Sequence, residues 1–451
     1  MKTILFLLTV LSLSACAENF LDVKRESSLV VPNAVEDYTG LMDNLLMYQG
    51  LATELATYGA DEFTVGDGML STLTQPLERN AYIWADDVYE RRTVNDWDKS
   101  YQRILYCNLA LEGLEKIRNE NDVAWKNAKG MALFHRAYNF FLLNQEFGQM
   151  YSVENANTAL GIPLRLESDV TMPSKRATVA ETYMQIVSDL EKSAELLPEL
   201  PIVKQRPSKQ ATYALLSRVY LIMENYEQSA SFAKQCIEMG NGLMDYNSID
   251  LSQSILFPTD PLENKEIILY AMMQPSTLLR NRYSMEPELL GLYSENDLRK
   301  EVYFIENTDG RILFRGTYLG QTGTNFVGLA LDEVYLTYIE CLIRLNEASR
   351  ASTVLKDYLK TRYKEVSKLE ISEDSSVRLL EYVLEERRKQ LVFRGVRWMD
   401  LRRLNKDTRF AETLVRQIDG EVYRLTPNSS RYVWPLPDEP VEYGGLVQNE
   451  R

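Results

Sequence analysis

A helical hairpin pattern of roughly 34 residues, at 208–240, limits the fold of this chain more than any other feature. Large and small side chains recur along it at helical spacing: Leu216, Ser217, Tyr220, Tyr226, Ser229, Phe232 and Cys236. Small residues let two helices approach closely, and aromatic rings fill the groove between them. The pattern therefore predicts a tightly packed antiparallel helix pair.

Similar hairpins are predicted at 101–147 and at 329–363, where the second turns near Asn346 and Glu347. The spacing is typical of tetratricopeptide repeats, with Ser and Cys in place of the usual Gly and Ala. Ordinary helical hairpins without repeat ancestry are the alternative. The predicted fold class is mostly α, with tetratricopeptide-like helical hairpins forming a superhelical frame.

The elements between these hairpins are marked by local signals. Thr178 and Glu181 form a capping-box pattern, which predicts that a helix starts there and ends at Pro198. Two segments, 49–97 and 241–325, lack helical periodicity and are read as loop-rich insertions with short β-hairpins. Binding residues are often carried on such loops.

The first sixteen residues predict the cellular compartment. A positive start (Lys2) precedes a short apolar run and then Leu13-Ser14-Ala15-Cys16, the plan of a lipoprotein signal. This predicts a signal peptide at 1–15, a lipidated Cys16 with a tether at 16–34, and a single domain at 35–451. An ordinary signal with an incidental Cys is the alternative. No later segment is apolar for long enough to predict a transmembrane helix.

Composition excludes several functional classes. With 50 Lys and Arg against 65 Asp and Glu, the formal charge of −15 argues against a nucleic acid partner. A single His (His135) makes a His-based metal site or catalytic dyad improbable, so we predict no catalytic residue and no metal ligand. A structural calcium is compatible with the acidic loops, but no EF-hand spacing indicates one. The other cysteines, Cys107, Cys236 and Cys341, fit small buried residues.

The C-terminal region carries the most specific motif. Residues 385–404 read EERRKQLVFRGVRWMDLRRL, Trp434-Pro435-Leu436-Pro437 follows, and Gln448-Asn449 lies near the end. We predict one helix from near Ser376 through this motif. Two expectations concern its packing. Glu385, Glu386, Arg387 and Arg388 are expected to pair with Arg397, Asp400, Arg402 and Arg403. Trp398 and Trp434 are expected in the core.

This motif, with the lipoprotein start and several landmarks between them, resembles the SusD/RagB family of outer-membrane nutrient-binding lipoproteins. The sequence departs from the family pattern at Gln390 and Arg394, where the family favours Glu. The resemblance implies a lipid-anchored protein of the outer membrane that faces the cell exterior. It would capture an oligosaccharide, or in some members a peptide, as the lid of a SusC-like TonB-dependent β-barrel transporter.

Binding without bond cleavage and without a cofactor is what this resemblance implies. A surface scaffold and a glycoside hydrolase are the alternatives, and the hydrolase would need two carboxylates flanking a cleft. Sugar rings stack on aromatic side chains, and their hydroxyl groups need polar partners. We therefore predict ligand contacts on the two insertions: Tyr82, Trp84, Arg280, Asn281, Tyr283 and Tyr293.

Overall fold

The computed structural model describes residues 32–371 and 375–451, apart from the side chain of Asn281. About 47% of the chain is helical and the strands form only small pairs, which confirms the mostly α fold class. The helices are α1 (Val35–Met42), α2 (Glu54–Gly59), α3 (Pro76–Tyr82), α4 (Asn95–Lys116), α5 (Val123–Phe147), α6 (Val179–Leu196), α7 (Lys209–Ile222), α8 (Tyr226–Glu238), α9 (Thr277–Asn281), α10 (Pro287–Gly291), α11 (Arg299–Tyr303), α12 (Leu331–Arg344), α13 (Ala348–Leu359), α14 (Ser376–Gln390), α15 (Arg397–Leu404) and α16 (Asp438–Glu442).

The strands are short. They are β1 (Gln49–Leu51), β2 (Phe63–Thr64), β3 (Leu160–Pro163), β4 (Arg176–Thr178), β5 (Ile267–Leu269), β6 (Met272–Met273), β7 (Ser284–Met285), β8 (Phe304–Glu306), β9 (Ile312–Phe314), β10 (Leu329–Ala330), β11 (Leu414–Ile418) and β12 (Glu421–Leu425).

The long helices form one continuous stack. Each packs on the next in the order α4, α5, α6, α7 and α8, and α8 then packs on α12, which contacts α13 and α14. Close approach between α7 and α8 uses a small side chain, because the Ser229 hydroxyl donates to the Ser217 carbonyl at 2.8 Å. The stack is the rigid support for the two insertions.

The capping box predicted at Thr178 and Glu181 starts α6. The Thr178 hydroxyl accepts from the Glu181 N–H at 3.1 Å, and the Glu181 carboxylate accepts from the Thr178 N–H at 2.8 Å. This reciprocal pair satisfies donors that the first turn of α6 leaves free. Ser208 caps α7 with its hydroxyl alone, which accepts from the Ala211 N–H at 3.2 Å.

Strand pairing joins the two insertions to each other. β1 runs parallel to β6, with Gln49 opposite Met272, and β2 runs antiparallel to β7, with Phe63 opposite Met285. Segments far apart in sequence therefore form one loop-rich layer on the helical stack.

The prediction of one uninterrupted C-terminal helix is wrong. The chain breaks between α14 and α15, where Phe393 and Gly395 take positive φ angles of 54° and 71°. The Glu62 carboxylate accepts from the Phe393 N–H at 2.9 Å, which compensates for a helical hydrogen bond lost at the break. A Cβ at Gly395 would lie 2.8 Å from Thr53, so glycine fits both the backbone angle and the space.

The charged residues around this break form a buried network that the sequence anticipated only in part. Arg387 pairs with Asp400 at 2.8 Å, as expected, and Arg403 joins the same carboxylate. Burial alone would raise the pKa of Asp400, but the two arginines lower it to about 2.

Other pairings differ because the partners come from distant segments. Glu386 pairs with Arg299 on α11 and with Lys389, not with α15. Arg388 and Arg397 both bind Asp61, and Arg402 donates to backbone carbonyls at the end of α5. The charges thus connect the C-terminal helices to the rest of the molecule.

Residues expected in the interior lie there. Trp398 and Trp434 are fully buried, and their rings stack with centroids 5.1 Å apart. The thiols of Cys107, Cys236 and Cys341 are free and buried, and burial raises their pKa values. Burial also lowers the pKa of His135 to about 3.

Within 32–371 and 375–451, no helix combines the length and apolarity needed to cross a membrane. The same ranges hold no group of three or more His, Cys, Asp or Glu side chains arranged for a metal ion.

Candidate functional site

The mid-chain insertion encloses a cavity of about 320 Å³ beside α9 and β9. Its walls combine apolar side chains with hydroxyl, amide and guanidinium groups. The lining residues are Ser254, Ile255, Leu256, Met273, Ser276, Leu279, Arg280, Tyr283, Ile305, Leu313, Phe314, Arg315, Thr317, Gln321, Thr322, Gly323, Thr324 and Asn325. Apolar walls with a few convergent polar groups are typical of small-molecule sites.

Arg280 reaches the cavity from the short helix α9, which is fixed by a buried glutamate of the other insertion. One carboxylate oxygen of Glu78 accepts from the Ser276 hydroxyl at 2.9 Å and from the Thr277 N–H at 2.7 Å. The Leu278 N–H points to the same oxygen at 3.3 Å. Because α9 is only five residues long, these bonds set its position and so the starting point of the Arg280 side chain.

Arg315 enters the cavity from the chain that follows β9. Its Nη2 donates to the Glu301 carbonyl at 2.6 Å, which holds the side chain against α11. Its Nε is buried and has no hydrogen-bond partner among the described residues. A buried donor without a partner is costly, so this N–H is suited to a ligand acceptor.

A polar loop, 321–325, forms one rim of the cavity. It is held on β6, because the Thr324 hydroxyl donates to the Met273 carbonyl at 2.7 Å and the Met273 N–H donates to the Asn325 carbonyl at 2.9 Å. Gly320 and Gly323 take φ angles of 62° and 95°. The backbone bonds leave the side-chain amides of Gln321 and Asn325 at the rim.

The floor of the cavity is aromatic. The Tyr283 ring packs edge-on against Phe63 and Phe393, with centroids 5.9 and 5.5 Å away, and its hydroxyl accepts from the Phe314 N–H at 3.0 Å. Burial raises the pKa of Tyr283 to about 12. Tyr283 therefore supports the site from below and presents little ring surface.

Tyr82 and Trp84 lie away from this cavity, in the core. Both rings are at most 2% exposed and pack against the guanidinium of Arg416, which lies 3.8 Å from the Tyr82 centroid and 4.4 Å from that of Trp84. Arg416 donates to the carbonyls of Tyr58, Ala60 and Tyr82. An arginine from β11 thus covers both rings, which leaves little of either surface free for a ligand.

Tyr293 is also buried. It is 3% exposed, its hydroxyl donates to the Lys389 carbonyl at 2.7 Å, and its ring meets Phe304 edge-on at 4.9 Å. The side chain of Asn281, the sixth predicted contact, lies outside what the structure describes. Of the predicted contacts, Arg280 and Tyr283 meet at one cavity, and ligand binding by any of the six stays a prediction.

A second surface feature surrounds the loop 163–176, where two adjoining clefts of about 780 and 560 Å³ share Arg165 and Met172. Several large apolar side chains around these clefts are exposed: Leu166, Val170, Met172, Met184 and Tyr443. Arg165 organises the loop by donating to the Met172 carbonyl and the Ser174 hydroxyl. We call the five exposed residues the apolar patch.

Two family models match most of the chain. A family model described as starch-binding, associating with outer membrane, matches residues 19–221, and a second, described as SusD family, matches residues 312–450. Together they match about three quarters of the sequence. The chain belongs to the SusD/RagB-like family. No functionally curated protein matches it.

Solved structures share the fold of this SusD/RagB-like chain at low sequence identity. A SusD superfamily protein from Bacteroides thetaiotaomicron has a TM-score of 0.75 and 20% identity, covering 93% of this chain and 100% of its own. A SusD-like carbohydrate binding protein from Bacteroides vulgatus gives 0.70 and 17%, covering 92% and 97%. Another, from Bacteroides fragilis, gives 0.66 and 17%, covering 91% and 98%.

Sequence reasoning missed most of the lining of this SusD/RagB-like site. Arg315 and the 321–325 loop carry many of the polar groups of the cavity. Of the lining residues, only Arg280 and Tyr283 were predicted from the sequence. One signal was present in the sequence. Gln321-Thr322-Gly323-Thr324-Asn325 is a run of small and amide residues between apolar segments, and such runs often form ligand-facing loops.

Proposed function

We propose that this protein captures an oligosaccharide at the 320 Å³ cavity and delivers it to a SusC-like TonB-dependent transporter as its lid. The observation that carries the proposal is the cavity itself, where apolar walls converge with hydroxyl, amide and guanidinium groups. Such a mixture matches a sugar, which has apolar C–H faces and many hydroxyl groups. Membership of a family whose structural relatives include carbohydrate binding proteins supports the same assignment.

The proposed mechanism is binding with no bond broken and no cofactor. A glycoside hydrolase needs two carboxyl groups on either side of the scissile bond. Among the described residues that line the cavity, none is Asp or Glu, which favours a binding role for this site. A capturing lid for peptides is the alternative, since amide and guanidinium groups also bind peptide carbonyls and carboxylates.

Glycan and peptide panels on the protein lacking residues 1–16 test the capture model. We expect measurable binding to a subset of glycans by calorimetry, and its loss when Asn325 is replaced by Leu. The control is Asn121→Leu, an exposed site outside the cavity. A flat response to both panels would reject capture, and binding to peptides alone would select the alternative.

Anchoring by a lipid on Cys16 belongs to the same proposal, and that residue lies outside the described part of the chain. Family membership suggests an outer-membrane-associated location. We expect the full-length protein to partition into detergent and the Cys16→Ser variant to lose its acyl mass. An unacylated wild-type N-terminus would contradict the anchor and leave capture intact.

Delivery to a transporter requires a docking surface, and the apolar patch supports this part of the proposal. Exposed apolar side chains grouped on one surface are typical of protein–protein contacts. Extraction of the native membrane in mild detergent should yield a β-barrel transporter in near-equal amount with this protein. Recovery of other surface proteins without a barrel would support the scaffold alternative.

A further inference from the structure

The charge of the cavity lining is opposite to that of the whole protein. The chain carries 65 acidic residues against 50 Lys and Arg. Yet the charged side chains in the described lining are two arginines, Arg280 and Arg315. A site lined by cations within an acidic protein concentrates positive potential at one place.

Neither arginine is neutralised by a carboxylate of the protein. Arg280 lines the cavity with an exposed side chain, and no ion pair or side-chain hydrogen bond of Arg280 is found within 32–371 and 375–451. Arg315 donates only to a backbone carbonyl, and its Nε is buried without a partner in the same ranges. Buried arginines of this protein are held in two ways: Arg299 pairs with Asp297 and Glu386, whereas Arg416 donates to backbone carbonyls.

We propose that the captured glycan is anionic and that Arg280 and Arg315 bind its acidic group. The guanidinium fork suits carboxylate and sulfate oxygens, so a uronic acid or a sulfated sugar provides the matching chemistry. This inference rests on the proposed function and narrows its ligand class. It differs from the neutral glucan that the description of the matching family model names.

The geometry also assigns separate roles to the rest of the site. Hydroxyl and amide groups on the 321–325 loop face the uncharged part of a sugar, and Leu279, Leu313 and Phe314 give apolar walls for its C–H faces. Arg315 is fixed by the Glu301 carbonyl, while Arg280 is exposed at the cavity. Arg280 is therefore the better residue to change, because its replacement breaks no side-chain bond to the described residues.

Matched glycan pairs test the proposal on the protein lacking residues 1–16. Oligogalacturonides are compared with their carboxyl-reduced forms, and sulfated chondroitin oligosaccharides with desulfated ones, by calorimetry. We expect at least one acidic member to bind tenfold or more tightly than its neutral counterpart, with affinity falling as salt is raised. The two arms distinguish a carboxylate from a sulfate.

Variants connect the preference to the two arginines. Arg280→Gln should weaken acidic-glycan binding tenfold or more and remove most of the preference over the neutral member, while Arg280→Lys should keep most of that preference. Arg424→Gln removes the same charge from an exposed position on β12 and should change neither. Thermal melts show whether each variant is folded, and Arg315→Lys serves as a second test that keeps the charge.

The outcomes separate the two proposals. Equal binding of acidic and neutral members, or an unchanged preference in Arg280→Gln, would overturn the anionic assignment and leave glycan capture standing. Binding of neither glycan class would overturn both. Binding of acidic peptides in place of glycans would also reject the assignment, and it would select a peptide ligand for the same cavity.

Discussion

At the residue scale, the two departures from the family motif meet on a single carboxylate. The Gln390 amide donates to Asp332 Oδ2 at 2.9 Å, and Arg394 Nη1 donates to the same oxygen at 3.1 Å. All three side chains are buried. A glutamate at either position would bring a second carboxylate to Asp332, so the two changes are compatible with each other and with this partner.

Because Gln390 faces Asp332, a negative charge at position 390 should destabilise the protein. Gln390→Glu should lower the free energy of unfolding by about 2–4 kcal/mol, because two buried carboxylates would face each other without a proton between them. Urea unfolding at pH 8 measures the loss. Gln417→Glu, on the exposed face of β11, should cost less than about 0.5 kcal/mol. Equal effects at the two positions would contradict the role given to Asp332.

A second residue-scale prediction concerns pH. Glu62 is buried, and one of its oxygens has no hydrogen-bond partner among the described residues. Burial raises its pKa to about 8, although the hydrogen bond from the Phe393 N–H opposes the shift. A raised pKa means that its contribution to stability is complete below about pH 4.5 and is lost as pH rises through 8.

Glu62→Gln removes this titration and retains an acceptor for Phe393. We expect the variant to gain roughly 2–4 kcal/mol over wild type at pH 8.5 and little at pH 5. Urea unfolding at both pH values gives the comparison. Glu199→Gln, at an exposed site, should leave the pH profile unchanged. A parallel offset at both pH values would show that Glu62 does not titrate in this range.

The long-range partners of individual residues could not be predicted from the sequence. Sequence reasoning identified positions 390 and 394 as unusual, but Asp332 is 58 residues from Gln390, and no local pattern links them. The same limit explains Tyr82, whose ring is covered by an arginine 334 residues away. Burial of an aromatic ring on a loop depends on such long-range partners, which periodicity does not contain.

At the element scale, local sequence signals predicted several of the helices. The Thr178 cap and the aromatic and small residues of 208–240 act within one or two turns, so they predicted α6, α7 and α8 closely. The prediction of one helix through 385–404 was wrong because the break in that helix depends on Glu62. This residue belongs to the 49–97 insertion and accepts from the Phe393 N–H. The position of α9 depends in the same way on Glu78, a residue of the other insertion. No pattern in the sequence around α9 indicates that partner.

Glu78 provides the test at this scale. Glu78→Ala leaves the Ser276 hydroxyl and the first N–H groups of α9 without their acceptor, so Arg280 should lose its position. We expect glycan affinity to fall about tenfold, and Glu78→Gln to recover part of it. The control is Glu288→Ala, an exposed residue of α10.

A purely structural effect of Glu78 would have a different signature. If the substitution only weakened the fold, the melting temperature would drop and folded protein would bind with unchanged affinity. Calorimetry well below the melting temperature therefore separates the two cases. Unchanged affinity of folded Glu78→Ala would remove Glu78 from the site.

At the scale of the whole molecule, ligand cavity and partner surface are built from different segments. The cavity belongs to the mid-chain insertion, whereas the apolar patch lies on the 163–176 loop, α6 and the C-terminal tail. That loop is tied to α4, because Asn108 donates to the Arg165 carbonyl at 2.9 Å and Glu112 accepts from the Ser168 N–H at 2.6 Å. A lid needs both functions on one rigid body.

Because the cavity and the apolar patch lie on different segments, we expect that transporter binding can be removed without loss of glycan binding. Val170 and Met172 are 70% and 52% exposed, so Val170→Asp with Met172→Glu should fold normally. We expect the amount of transporter recovered in detergent to fall at least fivefold, because a charge in an apolar contact must be desolvated. Glycan affinity of the purified protein should stay within twofold.

The matched control places the same two charges on another exposed apolar pair. Val415 and Val422, on the outer face of the β11–β12 hairpin, are each 50% exposed, and Val415→Asp with Val422→Glu should leave transporter recovery unchanged. Equal loss in both double variants would mean that recovery reports general surface charge. Loss only in the hairpin variant would move the docking surface from the apolar patch to that hairpin, and the lid would then have to contact its transporter through the segment that covers Tyr82 and Trp84.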